Sequence, residues 1–517
     1  MAARPVALTA APTTARIATL SAAGILAALT LGPIAAVLWR AGGLGAVTPA
    51  DLDALRFTLV QAALSAGFSC ALAVPVARAL ARRRFVGRGA LVALMGAPFI
   101  LPVIVAVMGL IALFGQAGLV NGALSALGLP KIDIYGLHGV VVAHVFFNLP
   151  LAVRILLQGW LDLPAERFRL AASLRLTPWA IFSQLEWPLL RRLMPGAFAV
   201  FFVICLTSFA VALTLGGGPR ATTVELAIYQ AMRFEFDLSH AATLALIQLA
   251  LALVAGWVAL RLSRGAGLGT GLDRLPLRWD GQGPAARLTD SAWIAVAGAF
   301  LLVPLALVVA RGVPGLVLLG ADTWRAAGHS LGVALASTVL CLAWALPLAR
   351  PRGALLSLAA IAISPLVLGT GLFVILRPFV NPFTLALPVT ALVNALMALP
   401  FALRIITPAA ESTRADYARL AATLRLTRGA WLRLVLLPRL RRPLGFAAGL
   451  TAALAMGDLG VIALFADPQR ATLPLQVYRL MGSYQMEAAA GASLLLLILS
   501  FGLFVLFDRG GRVRASA

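Results

Sequence analysis

The sequence predicts an all-α polytopic membrane protein made of two tandem six-helix domains. Of its 517 residues, 61% are hydrophobic and only 12% are charged, and the mean hydropathy is +0.96. A soluble domain carries about 25% charged residues. The apolar residues fall in long runs, and a membrane-spanning helix needs about 20 such residues. One polar segment also occurs twice, which indicates a fused duplication.

Twelve apolar runs are long enough to cross a bilayer. The first, Ile17–Trp39, contains 23 uncharged residues. That is longer than the apolar region of a signal peptide, and no small-residue cleavage site follows it, so we expect it to be retained as a span. The predicted spans are residues 17–39, 57–77, 90–114, 137–158, 195–215, 241–260, 291–310, 329–349, 354–376, 385–406, 444–465 and 488–507.

Arginine is concentrated in every second loop between these spans. The basic stretches lie at residues 78–88, 167–192, 261–290 and 509–514. By the positive-inside rule, these loops and both termini are expected to be cytoplasmic, with the protein crossing its membrane many times. The rule also accounts for the net charge of +23. The lipid bilayer is therefore the expected partner of the spans, and nucleic acid is not.

The duplicated segment defines the domain organisation. Residues 169–177 and 419–427 are identical at eight of nine positions, at an offset of 250. Six spans in each half give both halves the same orientation, so we expect a parallel repeat about an axis along the membrane normal. The predicted units are a first domain at 1–262, a cytoplasmic linker at 263–290 and a second domain at 291–517.

Both copies of the segment lie in predicted cytoplasmic loops, at about 160–192 and 408–442. A helix start is expected in the first loop, where Asp162, Pro164 and Glu166 follow one another closely. An interfacial helix would give no reason to keep eight identical residues, so we interpret the segment as a docking surface for a partner. The candidate docking residues are Glu166, Arg169, Leu170, Ala171, Ala172, Leu174 and Arg175, and Asp416, Arg419, Leu420, Ala421, Ala422, Leu424 and Arg425.

This loop resembles the cytoplasmic coupling loop of binding-protein-dependent ABC importer permeases. The pattern of that family is Glu-Ala-Ala, three residues, Gly and, after about ten more residues, Pro. Here Arg169-Leu170-Ala171 stands for Glu-Ala-Ala, Arg175 stands for the glycine, and Pro188 is the distal proline. The second copy departs in the same way. Arginine at the glycine position carries a conformational cost if the turn needs a positive φ.

Three further segments are similar to the thiamine/thiamine-diphosphate permeases within that group. They are residues 215–230, 457–465 and 472–484, and Leu185–Pro188 also fits. The resemblance covers most of the chain and implies import of thiamine and its phosphates. A fused iron(III) permease has the same six-plus-six architecture and remains the alternative substrate class.

The resemblance implies two copies of a cytoplasmic ABC ATPase and one periplasmic thiamine-binding protein as partners. It also implies that ATP and magnesium bind to the ATPase and that this chain binds no cofactor and is no enzyme. The sequence agrees, because Lys131 is its only lysine and no phosphate-binding loop ending in Gly-Lys-Ser/Thr is present. An ion-coupled secondary transporter is the alternative from another class, which the scarcity of acids in the spans disfavours. A non-transport scaffold is a third alternative.

Four residues are candidates for the substrate pathway. Asp458 is an acid within the eleventh span and would suit a cationic thiazolium ring, although a helix-end hydrogen bond is the alternative. Ser208 occupies the matching position of the first half. Glu225 and Tyr229 lie on an outward segment after the fifth span. The three cysteines and four histidines show no metal-ligand spacing, so we expect no metal site.

Overall fold

The computed structural model describes residues 13–40, 45–218, 221–262, 278, 281–350, 364–465 and 468–512. These residues form helices of the α, 3₁₀ and π types, and no strand occurs among them. Eleven of the helices are long and apolar enough to cross a membrane. The predicted all-α polytopic class is confirmed. The ninth predicted span, residues 354–376, lies partly outside the described residues, and its described part forms the helix Pro365–Leu376.

Twelve α-helices are described in the first half of the chain. They are α1 Thr13–Arg40, α2 Pro49–Arg82, α3 Arg88–Leu94, α4 Val103–Phe114, α5 Leu119–Ala126, α6 Leu137–Leu161, α7 Ala165–Ser173, α8 Pro178–Ile181, α9 Trp187–Leu206, α10 Ala210–Leu215, α11 Val224–Gln230 and α12 Leu238–Leu262. A π-helical segment, Phe182–Glu186, joins α8 to α9.

Nine α-helices are described in the second half. They are α13 Pro284–Gly315, α14 Ala321–Leu348, α15 Pro365–Leu376, α16 Ala386–Thr423, α17 Arg428–Ala430, α18 Leu437–Met456, α19 Gly460–Leu464, α20 Leu473–Gly482 and α21 Met486–Arg512. A π-helical segment, Trp431–Leu436, joins α17 to α18 and matches the one before α9. Helix α13 begins inside the predicted linker 263–290, of which residues 263–277, 279 and 280 lie outside the described part.

Small residues allow the helices of each half to approach closely. The face of α2 that is directed to α6 and α9 includes Ala62, Ala66, Ala73 and Ala77, all fully buried. Their spacing of four, seven and four residues places them on one side of the helix. In a membrane, helices associate mainly through such close packing, because lipid tails are as apolar as the side chains.

The two halves are interlocked by their first helices. Helix α13 of the second half packs on α2 and α4, whereas α1 of the first half packs on α14 and α15. A Cβ atom added to Gly109 in α4 would lie 2.7 Å from the carbonyl oxygen of Pro304 in α13. Gly371 in α15 is in the same close contact with the carbonyl group of Pro33 in α1. Glycine is therefore required at both crossings.

Candidate coupling and translocation sites

The first coupling segment is a short helix that is separate from the span before it. Helix α6 ends at Leu161 and α7 begins at Ala165, after Pro164. Proline lacks the N–H that would continue the helix, so the chain bends there. The expected cap by Asp162 is not formed. Its side chain instead accepts a hydrogen bond of 2.8 Å from the Gln158 amide, at the end of α6.

The second coupling segment is the continuation of its own span. Helix α16 runs without interruption over Ala386–Thr423 and contains both the membrane span and the coupling segment. The position that matches Pro164 is occupied by Arg414, which can donate the helical hydrogen bond. The guanidinium group of Arg414 also donates to the carbonyl oxygen of Ala349, at 2.6 Å.

Both coupling helices end in the same left-handed turn. Arg175 has φ 49° and Arg425 has φ 48°. The Leu176 N–H donates to the Ala171 carbonyl at 3.0 Å, and the Leu426 N–H donates to the Ala421 carbonyl at 3.1 Å. This is the Schellman motif, in which glycine is the usual left-handed residue. The turn therefore keeps the conformation that favours glycine although arginine stands there in both copies.

Each coupling helix exposes two leucines at matching positions. The exposed fractions are 61% for Leu170, 62% for Leu174, 49% for Leu420 and 58% for Leu424. Large exposed apolar side chains with charged neighbours are typical of a protein–protein interface. The other exposed candidate docking residues are Glu166, Arg169, Ala172 and Arg175, and Asp416, Arg419, Ala422 and Arg425.

Two of the candidate docking residues support their helices from the inner side. Ala171 is 2% exposed and packs with Phe168 and Ile181 in a small apolar cluster. Ala421 is half-buried. Of each alanine pair, only the second residue is therefore fully open to a partner, although both residues were predicted to dock.

The candidate pathway residues Ser208 and Asp458 lie at matching interruptions of two spans. Helix α9 ends at Leu206 and α10 begins at Ala210, while α18 ends at Met456 and α19 begins at Gly460. Broken helices expose backbone groups at membrane depth, and substrate sites of transporters are often built there. The structure thus brings both residues to equivalent breaks, 250 positions apart.

The first break holds a chain of polar side chains. The Ser208 hydroxyl lies 2.7 Å from Nε2 of His144, and Nδ1 of His144 lies 3.2 Å from the Ser65 hydroxyl. Nearby, the Asn148 amide donates to Sγ of Cys205 at 3.2 Å. His144 and Asn148 belong to α6, so this network fixes the break against that helix.

The second break holds a carboxylate. Oδ1 of Asp458 accepts the backbone N–H of Gly460, the first residue of α19, at 3.1 Å. Oδ2 is buried and has no hydrogen-bond partner among the described residues. Asn394, which matches His144 at the offset of 250, lies beside this carboxylate. Both roles expected for Asp458 are therefore compatible with its position, because Oδ1 bonds to the start of α19 and the carboxylate also lies against Asn394 at the break.

The two breaks face each other across the boundary between the halves. A Cβ atom on Gly460 would lie 3.8 Å from the Phe209 ring, which follows Ser208. Gly457 is similarly close to Pro102, with 2.9 Å between its ideal Cβ and the Pro102 Cα. Ser208 and Asp458 therefore belong to one central region to which each half contributes one break.

An aromatic cavity lies next to this centre, between α10 and α11 of the first half and α20 of the second. Its volume is about 220 Å³, and Tyr229, Gln230, Phe234 and Tyr478 are among its lining residues. The Tyr229 ring meets the rings of Phe209 at 5.3 Å and Phe234 at 5.8 Å, both edge to face. Tyr229 thus connects the cavity to the first break.

Tyr229 remains a hydrogen-bond donor at neutral pH. Burial raises the pKa of its phenol, while the nearby positive charges of Arg233 and Arg479 act in the opposite direction. Tyrosine already titrates near pH 10, so the hydroxyl keeps its proton.

Glu225 does not lie on an accessible surface, in contrast to the expectation from sequence. Its side chain is 0% exposed. One carboxylate oxygen accepts a hydrogen bond of 2.8 Å from the Ser364 hydroxyl, which caps the start of α15 in the other half. Glu225 is therefore a buried link between the two halves.

The sequence did not point to His144, Asn394 or the buried acid Glu186. His144 and Asn394 occupy matching positions and contact the matching pair Ser208 and Asp458. A search at the offset of 250 for polar residues within spans would have found them. Within the described residues, no group of three or more His, Cys, Asp or Glu side chains could hold a metal ion.

Comparisons with known proteins decide the family. A thiamine transport system permease protein of Brucella abortus (strain 2308) is 38% identical over 530 aligned residues, which cover 98% of this chain and 97% of the relative. The thiamine transport system permease protein of Salmonella typhimurium is 40% identical over 481 residues, or 88% of each chain. The chain belongs to the family of thiamine transport system permease proteins. No protein-family model matches it.

This thiamine permease family is related to shorter permeases. A molybdenum transport system permease protein of Azotobacter vinelandii is 31% identical over 178 residues, which cover 34% of this chain and 78% of the relative. A match to about one third of the chain fits a protein that corresponds to one half of the duplication. The chain is thus a multi-pass membrane permease of the ABC type.

Proposed function

We propose that the chain is the membrane-spanning subunit of an ABC importer that carries thiamine and its phosphates into the cell. The observation that carries the proposal is the duplicated coupling helix. Its exposed leucines and its left-handed turn recur in both halves. Two equal surfaces of this kind require two equal partners. The full-length similarity to thiamine transport system permease proteins supports thiamine as the substrate.

The partners on the cytoplasmic side are two copies of an ABC ATPase, with ATP and magnesium bound to them. One ATPase docks on the face formed by Leu170, Leu174 and the charged residues around them, and the other docks on the equivalent face of α16. Approach of the two ATPases would move both coupling helices and change the packing of the bundle. The arginine distribution agrees with this arrangement, because it places the coupling loops and both chain termini on the cytoplasmic side.

The central site formed by the two breaks is the proposed substrate pathway. The carboxylate of Asp458 supplies a negative charge for the thiazolium cation. Phe209 and Tyr229 supply aromatic faces, which attract organic cations through their ring quadrupoles. A periplasmic thiamine-binding protein would deliver the substrate through the aromatic cavity beside Tyr478.

Uptake of labelled thiamine into proteoliposomes tests the proposal. The vesicles contain the permease with its ATPase, ATP inside and the binding protein outside. We expect uptake only when the ATPase, ATP and the binding protein are all present. Uptake without ATPase but with an imposed proton or sodium gradient would contradict the proposal and establish an ion-coupled carrier. ATP-driven uptake of iron(III) without uptake of thiamine would show that the substrate is wrong and the mechanism right.

A further inference from the structure

The two coupling helices differ in how they are attached to the bundle. Helix α16 is continuous from the membrane into the coupling segment, with Pro400 and Pro408 inside it, so the helix itself connects the span to the coupling segment. Helix α7 is separated from α6 by a break at Pro164. A break of this kind allows bending, so α7 needs other contacts to hold its orientation.

A buried acid provides the centre of these contacts. Glu186 is 0% exposed and lies at the end of the π-helical segment before α9. Its Oε2 accepts a hydrogen bond of 2.6 Å from Arg78 in α2, and its Oε1 accepts one of 3.1 Å from the Trp160 indole in α6. Glu186 thereby joins three spans at the level of the coupling helix.

The third partner of Glu186 comes from the connection between the two halves. Arg278 forms an ion pair with Oε1 of Glu186 at 2.5 Å, and its side chain is 1% exposed. The same guanidinium group lies over the ring of Phe168, 4.5 Å from the ring centre. Phe168 belongs to α7, so Arg278 connects the coupling helix directly to the buried acid.

The chain on the other side of Arg278 is also held. Arg83, at the end of α2, donates to the carbonyl oxygen of Gly281 at 2.5 Å and pairs with Asp290 at 2.7 Å. The Asp290 carboxylate is in α13 and also lies 3.7 Å from Arg82. The described part of the connection is therefore fastened on α2 at Gly281 and on Glu186 at Arg278.

The second half lacks this arrangement. At the offset of 250, Leu436 stands for Glu186, Ala418 stands for Phe168, and Ala410 stands for Trp160. Leu436 is buried in an apolar environment. A buried acid with two arginines is difficult to retain without a specific use, because desolvation of the charges opposes it. The buried acid occurs in the half with the broken helix and is replaced by leucine in the half with the continuous helix. This difference suggests that the acid supports the broken helix.

We propose that Arg278 is a positioning residue that holds the first coupling helix, so that the connection between the halves acts as a strap. The strap consists of Arg278 and residues 281–283, which precede α13. It gives α7 the fixed orientation that α16 receives from helix continuity. The proposal rests on the proposed function, since the orientation of α7 matters because an ATPase docks there. The two ATPase sites are accordingly equal at their surfaces and unequal in their support.

Spin labels on the two coupling helices test the strap in the full-length permease in nanodiscs. Ser173 and Thr423 are exposed, match at the offset of 250 and are replaced by cysteine one at a time. The native thiols Cys70, Cys205 and Cys341 are buried and stay unlabelled. We expect Arg278→Gln to increase label mobility at position 173 and to leave position 423 unchanged. Arg287→Gln is the matched control, since it removes the same charge from an exposed side chain on α13.

Two outcomes would overturn the strap. One is unchanged mobility at position 173, and the other is an equal increase at both positions. If Arg278→Gln fails to fold, Phe168→Leu serves instead, because it removes the ring stack and keeps both ion pairs of Glu186. The same selective increase at position 173 is expected.

A second measurement connects the strap to transport. In proteoliposomes, Arg278→Gln is expected to lower thiamine uptake per ATP hydrolysed about fivefold, the low end of usual couplings between sites. Unchanged coupling would overturn the functional part of the strap. Because the mobility measurement needs neither substrate nor ATPase, it remains valid if wild-type protein shows no ATP-driven uptake. That last result would refute the proposed function and not the strap.

Discussion

The central breaks of the two halves have the same backbone and different chemistry. In both, a span stops, three residues follow and a short helix begins, at positions 250 residues apart. The first break carries a neutral pair, Ser208 with His144, and the second carries an acid, Asp458, beside Asn394. The shared backbone indicates that the break itself is required. The different side chains predict that, at the breaks, only the second half provides charge to the proposed pathway.

Removal of the charge from the second break is the largest effect we expect. Asn at position 458 can still accept the Gly460 N–H, so Asp458→Asn keeps this hydrogen bond and loses only the carboxylate. Interactions with a charged group contribute about 1.5–3 kcal/mol, so thiamine uptake should fall about tenfold to a hundredfold. The measurement is the concentration dependence of ATP-driven uptake.

Ser208→Ala is the control from the first break. It removes a neutral hydroxyl that pairs with His144 and should lower uptake by less than the change at the acid. Equal effects of the two changes would show that the halves contribute alike. Unchanged uptake by Asp458→Asn would show that the carboxylate only bonds to the start of α19 and does not interact with the substrate.

The interlocked helix crossings should behave alike in the two halves. Alanine at Gly109 would press on the Pro304 carbonyl, and alanine at Gly371 would press on the Pro33 carbonyl. Overpacking of this kind costs about 1–3 kcal/mol. We expect Gly109→Ala and Gly371→Ala to lower thermal stability in detergent by similar amounts.

Gly67→Ala in α2 is the control for the crossings, because no atom lies within 4 Å of the added Cβ. It should be neutral or stabilising, since alanine favours helix more than glycine does. If only one of the two crossing variants is destabilised, the halves do not hold one another symmetrically.

Much of the architecture followed from the sequence, and the reason is the membrane. Apolar length identified eleven spans that the described structure contains, since a bilayer requires about 20 apolar residues whatever their partners. The offset of 250 identified two matching segments that fold as helices, and the pair Ser208 and Asp458 at matching breaks; the roles of these residues stay predictions. The packing of α1 on the second half and of α13 on the first half could not be predicted. Contacts between two apolar helix faces in a membrane leave no periodic pattern of residues in the sequence. The predicted accessible position of Glu225 was wrong, because the sequence does not show whether an acid is exposed or bonded to a residue as distant as Ser364.

The coupling surfaces were predicted more fully than their attachment. The repeat showed which residues are duplicated, but the helix break lies at Pro164, outside the identical positions, and Arg414 stands there in the continuous helix. Arg278 contacts Glu186 across 92 residues of chain. Such a pair becomes visible only when the fold brings the two residues together.

The docking faces should respond equally to a charge in either copy. Leu174 and Leu424 are exposed by 62% and 58%. Aspartate at either position would place an unpaired carboxylate in the interface and remove an apolar contact, at a cost of about 1.5 kcal/mol or roughly tenfold in affinity. We expect Leu174→Asp and Leu424→Asp to weaken ATPase binding equally when measured by co-purification or light-scattering titration. A clear loss from one variant alone would show that a single ATPase contact dominates.

The smallest expected effect concerns the left-handed turns. Arg175 and Arg425 adopt φ 49° and 48°, where an L side chain costs about 1 kcal/mol relative to glycine. Arg175→Gly and Arg425→Gly should therefore stabilise their turns, and hydrogen exchange at the amides of Leu176 and Leu426 should slow about fivefold. Arg169→Gly, within α7 itself, should have the opposite sign because glycine disfavours helix. Faster exchange in the turn variants would mean that the arginine side chains support the turn through contacts that outweigh the strain. If the two variants slow exchange equally, the turn is an intrinsic property of the repeat. A smaller change at Leu176 would indicate that the strap, and not the turn residue, limits opening in the first half.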